Sequence, residues 1–247
     1  MKRRLHFLSF GALFLCLTLL LSSLARNTEY AILTILDTIE TPEDPVIILD
    51  AGHGGEDGGA GGVNGIAEKE LNLSLTHMLA EQLRYAGFTV IETRTEDKLL
   101  YDEGTKKGHK KQGDLTNRLA FTQAYPNSIF ISIHMNTFPN NSCRGTQVWY
   151  SQNDARSATL AQAVQSKVRT VLQPENNRKI KAATSSIYLL RHAQVPAILV
   201  ECGFLSTPDE CEKLCSLSYQ RMLALTLASA ICGNLATYSC ETVPPVL

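Results

Sequence analysis

Short apolar runs alternate along this chain with longer segments in which apolar residues recur every three or four positions. The short runs predict strands that are buried on both faces. They are Val46–Leu49, Phe88–Glu92, Ile129–Ile133, Thr146–Tyr150 and Ala197–Val200, with Ile187–Leu190 as a weaker candidate. The longer segments predict amphipathic helices. These are Glu68–Ala86, Asp114–Ala124, Ala155–Leu172, Pro208–Leu214 and Tyr219–Leu235.

The alternation of strand and helix predicts an α/β fold, with a mostly parallel, twisted sheet of five to six strands and helices on both faces. In such sheets a ligand site lies beyond the carboxyl ends of the strands. Polar residues that directly follow a predicted strand are therefore the first candidates for function.

The N-terminus has the pattern of an export signal. Three basic residues, Lys2 to Arg4, precede an uncharged apolar run from Phe7 to Ala25, which ends in small residues. The run is close to the ~20 residues that cross a bilayer, so a cleaved signal and a retained membrane anchor are both expected alternatives. The predicted organisation is a signal or anchor over 1–27, a stem over 28–45, a catalytic domain over 46–240 and a tail over 241–247.

The composition of the chain limits the kinds of partner and covalent link that we expect. The chain has 23 Lys and Arg against 24 Asp and Glu and no basic block, so a nucleic-acid partner is not expected. Its 7 cysteines are an odd number without C-x-x-C pairs. Most of them are predicted to be small buried apolar residues, and disulfide pairing cannot be assigned from their spacing.

Two histidines follow predicted neighbouring strands. His53 lies in the glycine-rich loop after the first strand, where small residues leave room for a substrate, and His134 ends the Ile129–Ile133 strand. The loop lacks the G-x-G-x-x-G register and contains acidic residues, which argues against nucleotide binding. Two imidazoles at one sheet edge predict a zinc site, because neutral imidazole is a favoured zinc ligand.

A catalytic zinc ion usually takes three protein ligands, so one carboxylate is still needed. Glu56 gives an H-x-x-E pattern with His53, whereas Glu68 opens the helix that follows the loop. Glu70 lies about 200° further round that helix and is not a substitute for Glu68. Spacing alone does not decide between Glu56 and Glu68.

Glu201 is the fourth candidate, because it ends the apolar strand Ala197–Val200 and precedes Cys202 and Gly203. A charge in that position needs a partner. An ion pair or a helix cap is one interpretation. The other is a free carboxylate beside a zinc-bound water, where it would take and return protons during hydrolysis.

Together these segments resemble the zinc-dependent N-acetylmuramoyl-L-alanine amidase family, in its amidase type 3 catalytic domain, over about residues 46 to 238. The resemblance implies one zinc ion per chain, bound by His53, Glu68 and His134, and a catalytic Glu201. It also implies cleavage of the amide between the lactyl group of muramic acid and the first L-alanine of the stem peptide. The matching stretches are Leu49–Gly55, Glu68–Leu73, Thr93-Arg94, Arg118, Ser132–Asn136 and Val200–Leu205.

The segments Leu100–Gly104 and Lys110–Arg118 further resemble the germination-specific amidases of spore-forming bacteria. That resemblance implies trimming of spore-cortex peptidoglycan to prepare muramic-δ-lactam. Together with the N-terminal export pattern it predicts extracytoplasmic action by a protein that is exported or anchored to the membrane, with the forespore intermembrane space as one expected site. The expected partners are peptidoglycan, an exported accessory protein and, through the N-terminal segment, the membrane.

Asn136 and Arg118 are candidates for substrate positioning, with tying of loops as the alternative. Two other functions fit parts of the pattern. A zinc carboxypeptidase would use Glu56 and act on peptidoglycan peptides. An inactive wall-binding module would keep the fold without the chemistry.

Overall fold

A computed structural model of the chain describes residues 21–24, 26, 28 and 44–241, with side chains to residue 236. The chain divides into two units, Met1–Glu43 and Asp44–Leu247. In the first unit the described residues are helical. The predicted signal or anchor and stem otherwise lie outside the described residues. No helix within the described part of the chain is both long enough and apolar enough to cross a membrane.

The second unit alternates strands and helices. The strands are β1 (Val46–Ala51), β2 (Val90–Glu92), β3 (Ser128–Asn136), β4 (Gln147–Tyr150), β5 (Lys181–Ala182) and β6 (Ala197–Phe204). The helices are α1 (Glu68–Tyr85), α2 (Lys110–Ala124), α3 (Arg156–Val171), α4 (Tyr188–His192), α5 (Pro208–Cys215) and α6 (Leu217–Glu241).

The strands form one six-stranded sheet in the order β2-β1-β3-β6-β4-β5. The pairs within β2-β1-β3-β6 are parallel, and β4 runs antiparallel to β6. Helices α1, α3, α5 and α6 contribute to the larger apolar core on one face. Helices α2 and α4 contribute to a smaller core on the other face. The predicted α/β class and mostly parallel sheet are confirmed.

The strands differ from the predictions in two details. The weak strand candidate Ile187–Leu190 is wrong, because the short helix α4 occupies most of that segment and buries Leu189 and Leu190 in the smaller core. The sixth strand is instead β5, which has two residues and is too short for a hydrophobic period.

Helix α2 begins at Lys110, four residues before the predicted start at Asp114. Asp114 is not a cap. One oxygen of its carboxylate accepts from the backbone N–H of Leu100 at 2.7 Å, and the other accepts from Arg118 Nε at 2.8 Å. The tertiary role of Asp114 therefore explains its place inside the helix.

The described cysteines with described side chains are all free. Cys202 and Cys211 are buried, whereas Cys143, Cys215 and Cys232 are half-buried. The predicted role as small apolar residues fits the first two most closely.

A buried ionic cluster lies under the carboxyl end of β1. The Asp50 carboxylate is fully buried and accepts from Arg118 Nη1 at 2.6 Å, Ser132 Oγ at 2.6 Å and Thr93 Oγ1 at 2.7 Å. Burial alone would raise the pKa of Asp50, but Arg118 and the two hydroxyl donors outweigh it and lower that pKa. Strand β1, strand β3, helix α2 and the segment after β2 are thereby joined around one carboxylate.

We expect Arg118→Met to destabilise the protein by about 3–5 kcal/mol, because it leaves the Asp50 charge buried without its cation. The measurement is the free energy of unfolding in urea. The double variant Asp50→Asn, Arg118→Met should lose less than the sum of the two single changes, since the partners are coupled.

Arg156→Met is the matched control, because the Arg156 side chain is more than half exposed where it pairs with Asp154. Its expected cost is below about 1 kcal/mol. Equal losses for Arg118→Met and Arg156→Met would contradict the importance of the buried cluster.

Candidate metal centre and active site

The glycine-rich loop after β1 is shaped around the site. His53 adopts a positive φ of 62°, which is unusual for a residue with a side chain. A Cβ atom on Gly52 would lie 2.2 Å from the His134 ring, and one on Gly59 would lie 2.5 Å from Glu68 Oε2. The sequence predicts that the small residues of this loop leave room for a substrate. At Gly52 and Gly59, that room is filled by the His134 and Glu68 side chains instead.

Three side chains converge at the carboxyl edge of the sheet. Glu68 Oε2 lies 3.2 Å from His53 Nε2, and Glu68 Oε1 lies 2.9 Å from His134 Nδ1. One ligand atom from each of the three residues lies within 4.8 Å of the others. The parallel pairing of β1 and β3 produces this meeting, because both strands end at the same edge.

The Glu68 carboxylate is fixed by its surroundings. The residue is 3% exposed, and its oxygens accept from the backbone N–H groups of Ala60 at 2.7 Å and Met135 at 3.0 Å. Burial would raise the pKa of Glu68, but the hydrogen bonds and charges of His134 and His53 drive it far below its usual range. Glu68 is therefore held as an anion.

Asp57 orients His53 from the other side. Its Oδ2 lies 3.0 Å from His53 Nδ1, which leaves Nε2 turned towards Glu68. Burial would lower the pKa of His53, but Glu68 and Asp57 outweigh it and raise that pKa. A carboxylate behind a histidine is a common arrangement in zinc sites, where it fixes the ring that binds the metal.

Glu56, the alternative carboxylate, does not join the cluster. Its side chain is 60% exposed and pairs with Lys110 Nζ at 3.1 Å. The geometry brings Glu68, and not Glu56, to the two histidines.

The three residues fit a zinc ion by donor type. Two imidazole nitrogens and one carboxylate oxygen form a donor set that catalytic zinc sites use. Neighbouring ligand atoms in a zinc tetrahedron are about 3.3 Å apart, given metal–ligand distances of ~2.0–2.1 Å. His53 Nε2 and His134 Nδ1 lie 3.2 and 2.9 Å from different oxygens of Glu68, and with one ligand atom taken from each residue the three atoms lie within 4.8 Å of one another.

Glu201 lies directly beside this cluster. It pairs with His134 across β3 and β6, so the two side chains point to the same face of the sheet. Its Oε2 is buried and has no hydrogen-bond partner within the described residues. Burial raises the pKa of Glu201, and the nearby Glu68 charge adds to that rise. The ion pair or helix cap considered for Glu201 is not what this geometry contains.

The side chains of Arg118 and Asn136, the two candidates for substrate positioning, differ in how exposed they are. The Arg118 side chain is 2% exposed, and besides Asp50 and Asp114 it donates to the carbonyl oxygens of Ala51 and His53 at 2.7 Å. That geometry favours tying of the loop over contact with a substrate. Asn136 is half-buried at the end of β3, just beyond His134.

Sequence reasoning missed Asp57, Asn72 and Asp50. Asn72 Nδ2 donates to Glu68 Oε1 at 3.2 Å and to the carbonyl oxygen of Gly52 at 3.1 Å. Asn72 lies one helical turn after Glu68, and Asp57 four residues after His53. Those spacings can be read from the sequence, but only the folded loop brings Asn72 to Glu68 and Asp57 to His53.

Comparison with known proteins agrees with this geometry. Residues 47–233 match the family model described as N-acetylmuramoyl-L-alanine amidase. The germination-specific N-acetylmuramoyl-L-alanine amidase of Bacillus subtilis is 34% identical over 187 residues, which cover 75% of this chain and 78% of that protein.

Two solved structures are also similar. The CwlD amidase of Clostridioides difficile, in complex with the GerS lipoprotein, has a TM-score of 0.75 and 35% identity, covering 78% of this chain and 99% of that one. The amidase AmiC2 of Nostoc punctiforme has a TM-score of 0.66 and 27% identity, covering 78% of this chain and 98% of that one. The family match spans both histidines, Glu68 and Glu201, and we conclude that this chain belongs to the N-acetylmuramoyl-L-alanine amidase family of peptidoglycan hydrolases.

Proposed function

We propose that this chain is a zinc-dependent amidase that cuts the bond between the lactyl group of N-acetylmuramic acid and the L-alanine of the stem peptide. The observation that carries the proposal is the convergence of His53, Glu68 and His134 beside Glu201, whose buried Oε2 has no partner in the described structure. A buried carboxylate oxygen without a donor is costly, so its retention needs a reason.

His53, Glu68 and His134 would hold the one zinc ion. Bound there, zinc would act as a Lewis acid on the scissile carbonyl and would make water a better nucleophile at neutral pH. Asp57 holds the His53 ring in the orientation that leaves Nε2 free for this role. The backbone donors of Ala60 and Met135 hold Glu68 in place before the substrate arrives.

Glu201 would move the proton. Its carboxylate takes a proton from the attacking water and then gives it to the alanine nitrogen as the amide bond breaks. Burial raises the pKa of Glu201. Buried Glu201 therefore holds a proton more readily between the two transfers than an exposed glutamate would. One carboxylate thus serves as base and then as acid.

The two rival functions have less support. A carboxypeptidase that used Glu56 would need that side chain at the metal, whereas Glu56 pairs with Lys110. An inactive wall-binding module would not need a buried anion between two histidines and an unpartnered carboxylate beside them.

We further propose action outside the cytoplasm on spore-cortex peptidoglycan, in the preparation of muramic-δ-lactam. Similarity to the germination-specific amidase of Bacillus subtilis supports this role. The related Clostridioides difficile amidase forms a complex with the GerS lipoprotein. That complex supports an exported accessory protein as a partner of this chain.

We expect Glu201→Gln to keep zinc but to lose about 10²–10⁴-fold in kcat on muropeptides, because the amide cannot accept the proton. Metal content by atomic absorption and product release by mass spectrometry measure the two effects. Turnover at the wild-type rate would remove Glu201 from the mechanism.

We expect Glu68→Gln to lose zinc and activity together, because the anionic ligand is replaced by a neutral amide. Glu56→Gln is the matched control and should keep both, since its exposed side chain pairs only at the surface. Mass analysis of the digest also separates the enzymes: an amidase frees the whole stem peptide, and a carboxypeptidase frees one amino acid. Zinc loss in Glu56→Gln but not in Glu68→Gln would reverse the ligand assignment.

A further inference from the structure

Beyond Glu201, the face of the sheet that carries the catalytic glutamate continues across β4 to the edge strand β5. Gln147 on β4 pairs with Glu201, and Trp149 on β4 pairs with Leu199 of β6 and with Lys181 of β5. Paired residues on neighbouring strands point to the same face. Trp149 packs with Leu199 against the smaller core, which places Lys181 on the Glu201 side of the sheet.

This edge carries three cations close together in sequence: Arg178, Lys179 and Lys181. We call these three residues the cationic edge. Lys179 and Lys181 are exposed. Lys181 Nζ lies 5.1 Å from the centre of the Trp149 ring, a cation–π distance that holds the ammonium group over β4.

Arg178 is also held in place. Its guanidinium group lies 4.4 Å from the centre of the Phe204 ring and donates to the carbonyl oxygen of Arg144 and to Gln147 Oε1. Gln147 in turn donates to the carbonyl oxygen of Lys179 at 2.9 Å. Arg178 thus donates to Gln147, the residue of β4 that lies opposite Glu201.

None of the three cations forms an ion pair within the described residues. The opposite flank of the site differs. There, Lys110 pairs with Glu56 at 3.1 Å, and Lys111 lies 3.9 Å from Asp57. Positive charge that is held in place without an ion pair is therefore found on the β4–β5 side, whereas the exposed Lys106 and Lys107 of the opposite flank contact neither an aromatic ring nor an acidic partner within the described residues.

We propose that the cationic edge binds a carboxylate of the substrate's stem peptide and so selects for acidic peptides. This inference rests on the proposed amidase function. The stem peptide, rather than the glycan, is the part of that substrate with free carboxylates next to the cleaved bond. An unpaired cation next to a cleft attracts such a group and fixes its register.

The distance fits the second or third residue of the peptide. Neighbouring strands lie about 4.7–4.9 Å apart, and Lys181 lies opposite Leu199, two residues along β6 from Glu201, so its backbone is about 12 Å from that of Glu201. An extended peptide covers about 3.3–3.6 Å per residue. A peptide that runs from Glu201 towards β5 therefore reaches the Lys181 backbone about three to four residues after the cleaved bond, and the lysine ammonium group sooner because the side chain extends over β4.

The test compares two soluble muropeptides that differ only in whether the second and third residues carry free carboxylates or carboxamides. We expect Lys181→Met to lower kcat/KM about three- to fivefold for the acidic substrate and to leave the carboxamide substrate unchanged. The double variant Lys179→Met, Lys181→Met should show a larger loss of kcat/KM for the acidic substrate than Lys181→Met alone. The effect should shrink in high salt, because exposed ion pairs are screened.

Lys167→Met is the matched control, since this exposed lysine lies on α3, which packs on the other face of the sheet. It should change neither substrate. Equal losses for both substrates in Lys181→Met, or the same loss in Lys167→Met, would overturn the proposal.

A binding measurement separates this proposal from the proposed function. Titration calorimetry with the free stem peptide, in its acidic and carboxamide forms, needs no hydrolysis. If wild-type protein cleaved neither muropeptide, the amidase function would fail, yet weaker binding of the acidic peptide by Lys181→Met would still support the cationic edge. Unchanged affinity for the acidic peptide in that variant would refute it.

Discussion

The arrangement of this site depends on one buried carboxylate. Glu68 is almost completely removed from water, and a lone anion in that position would be strongly destabilising. Its compensation comes from two histidines, two backbone N–H groups and the Asn72 side-chain amide rather than from a lysine or arginine. The loop after β1 and the end of β3 must therefore meet at Glu68. The proposed zinc ion would take its place among groups that the fold has already assembled.

A second buried carboxylate stabilises the platform beneath the first. Asp50 joins β1 to β3 through Ser132 and to α2 through Arg118, and Arg118 also donates to the carbonyl oxygen of His53. The loop that carries His53 is consequently anchored from below, which helps to hold its positive φ. The buried carboxylates of Asp50 and Glu68 are thus close together, but each accepts hydrogen bonds from its own set of donors.

The sheet itself gives the site its direction. Glu201 lies between His134 on one neighbouring strand and Gln147 on the other. His53, Glu68 and His134 lie on the β3 side, and the cationic edge lies on the β4–β5 side. An extended peptide laid across the strands would meet Glu201, the proposed proton-transfer group, first and the cationic edge afterwards. Chemistry and proposed selectivity would follow from strand order.

The sequence by itself determined the alternation of strands and helices, the parallel class of the sheet, and the placement of His53, His134 and Glu201 at strand ends, because burial and backbone periodicity are local signals. It did not determine the two-residue strand β5, the start of α2 or the loop-tying geometry of Arg118. It also left Glu56 and Glu68 open until the family resemblance was considered. Only the tertiary structure brought Glu68 to the histidines and left Glu56 at the surface, because contacts between residues distant in sequence depend on how the loop closes.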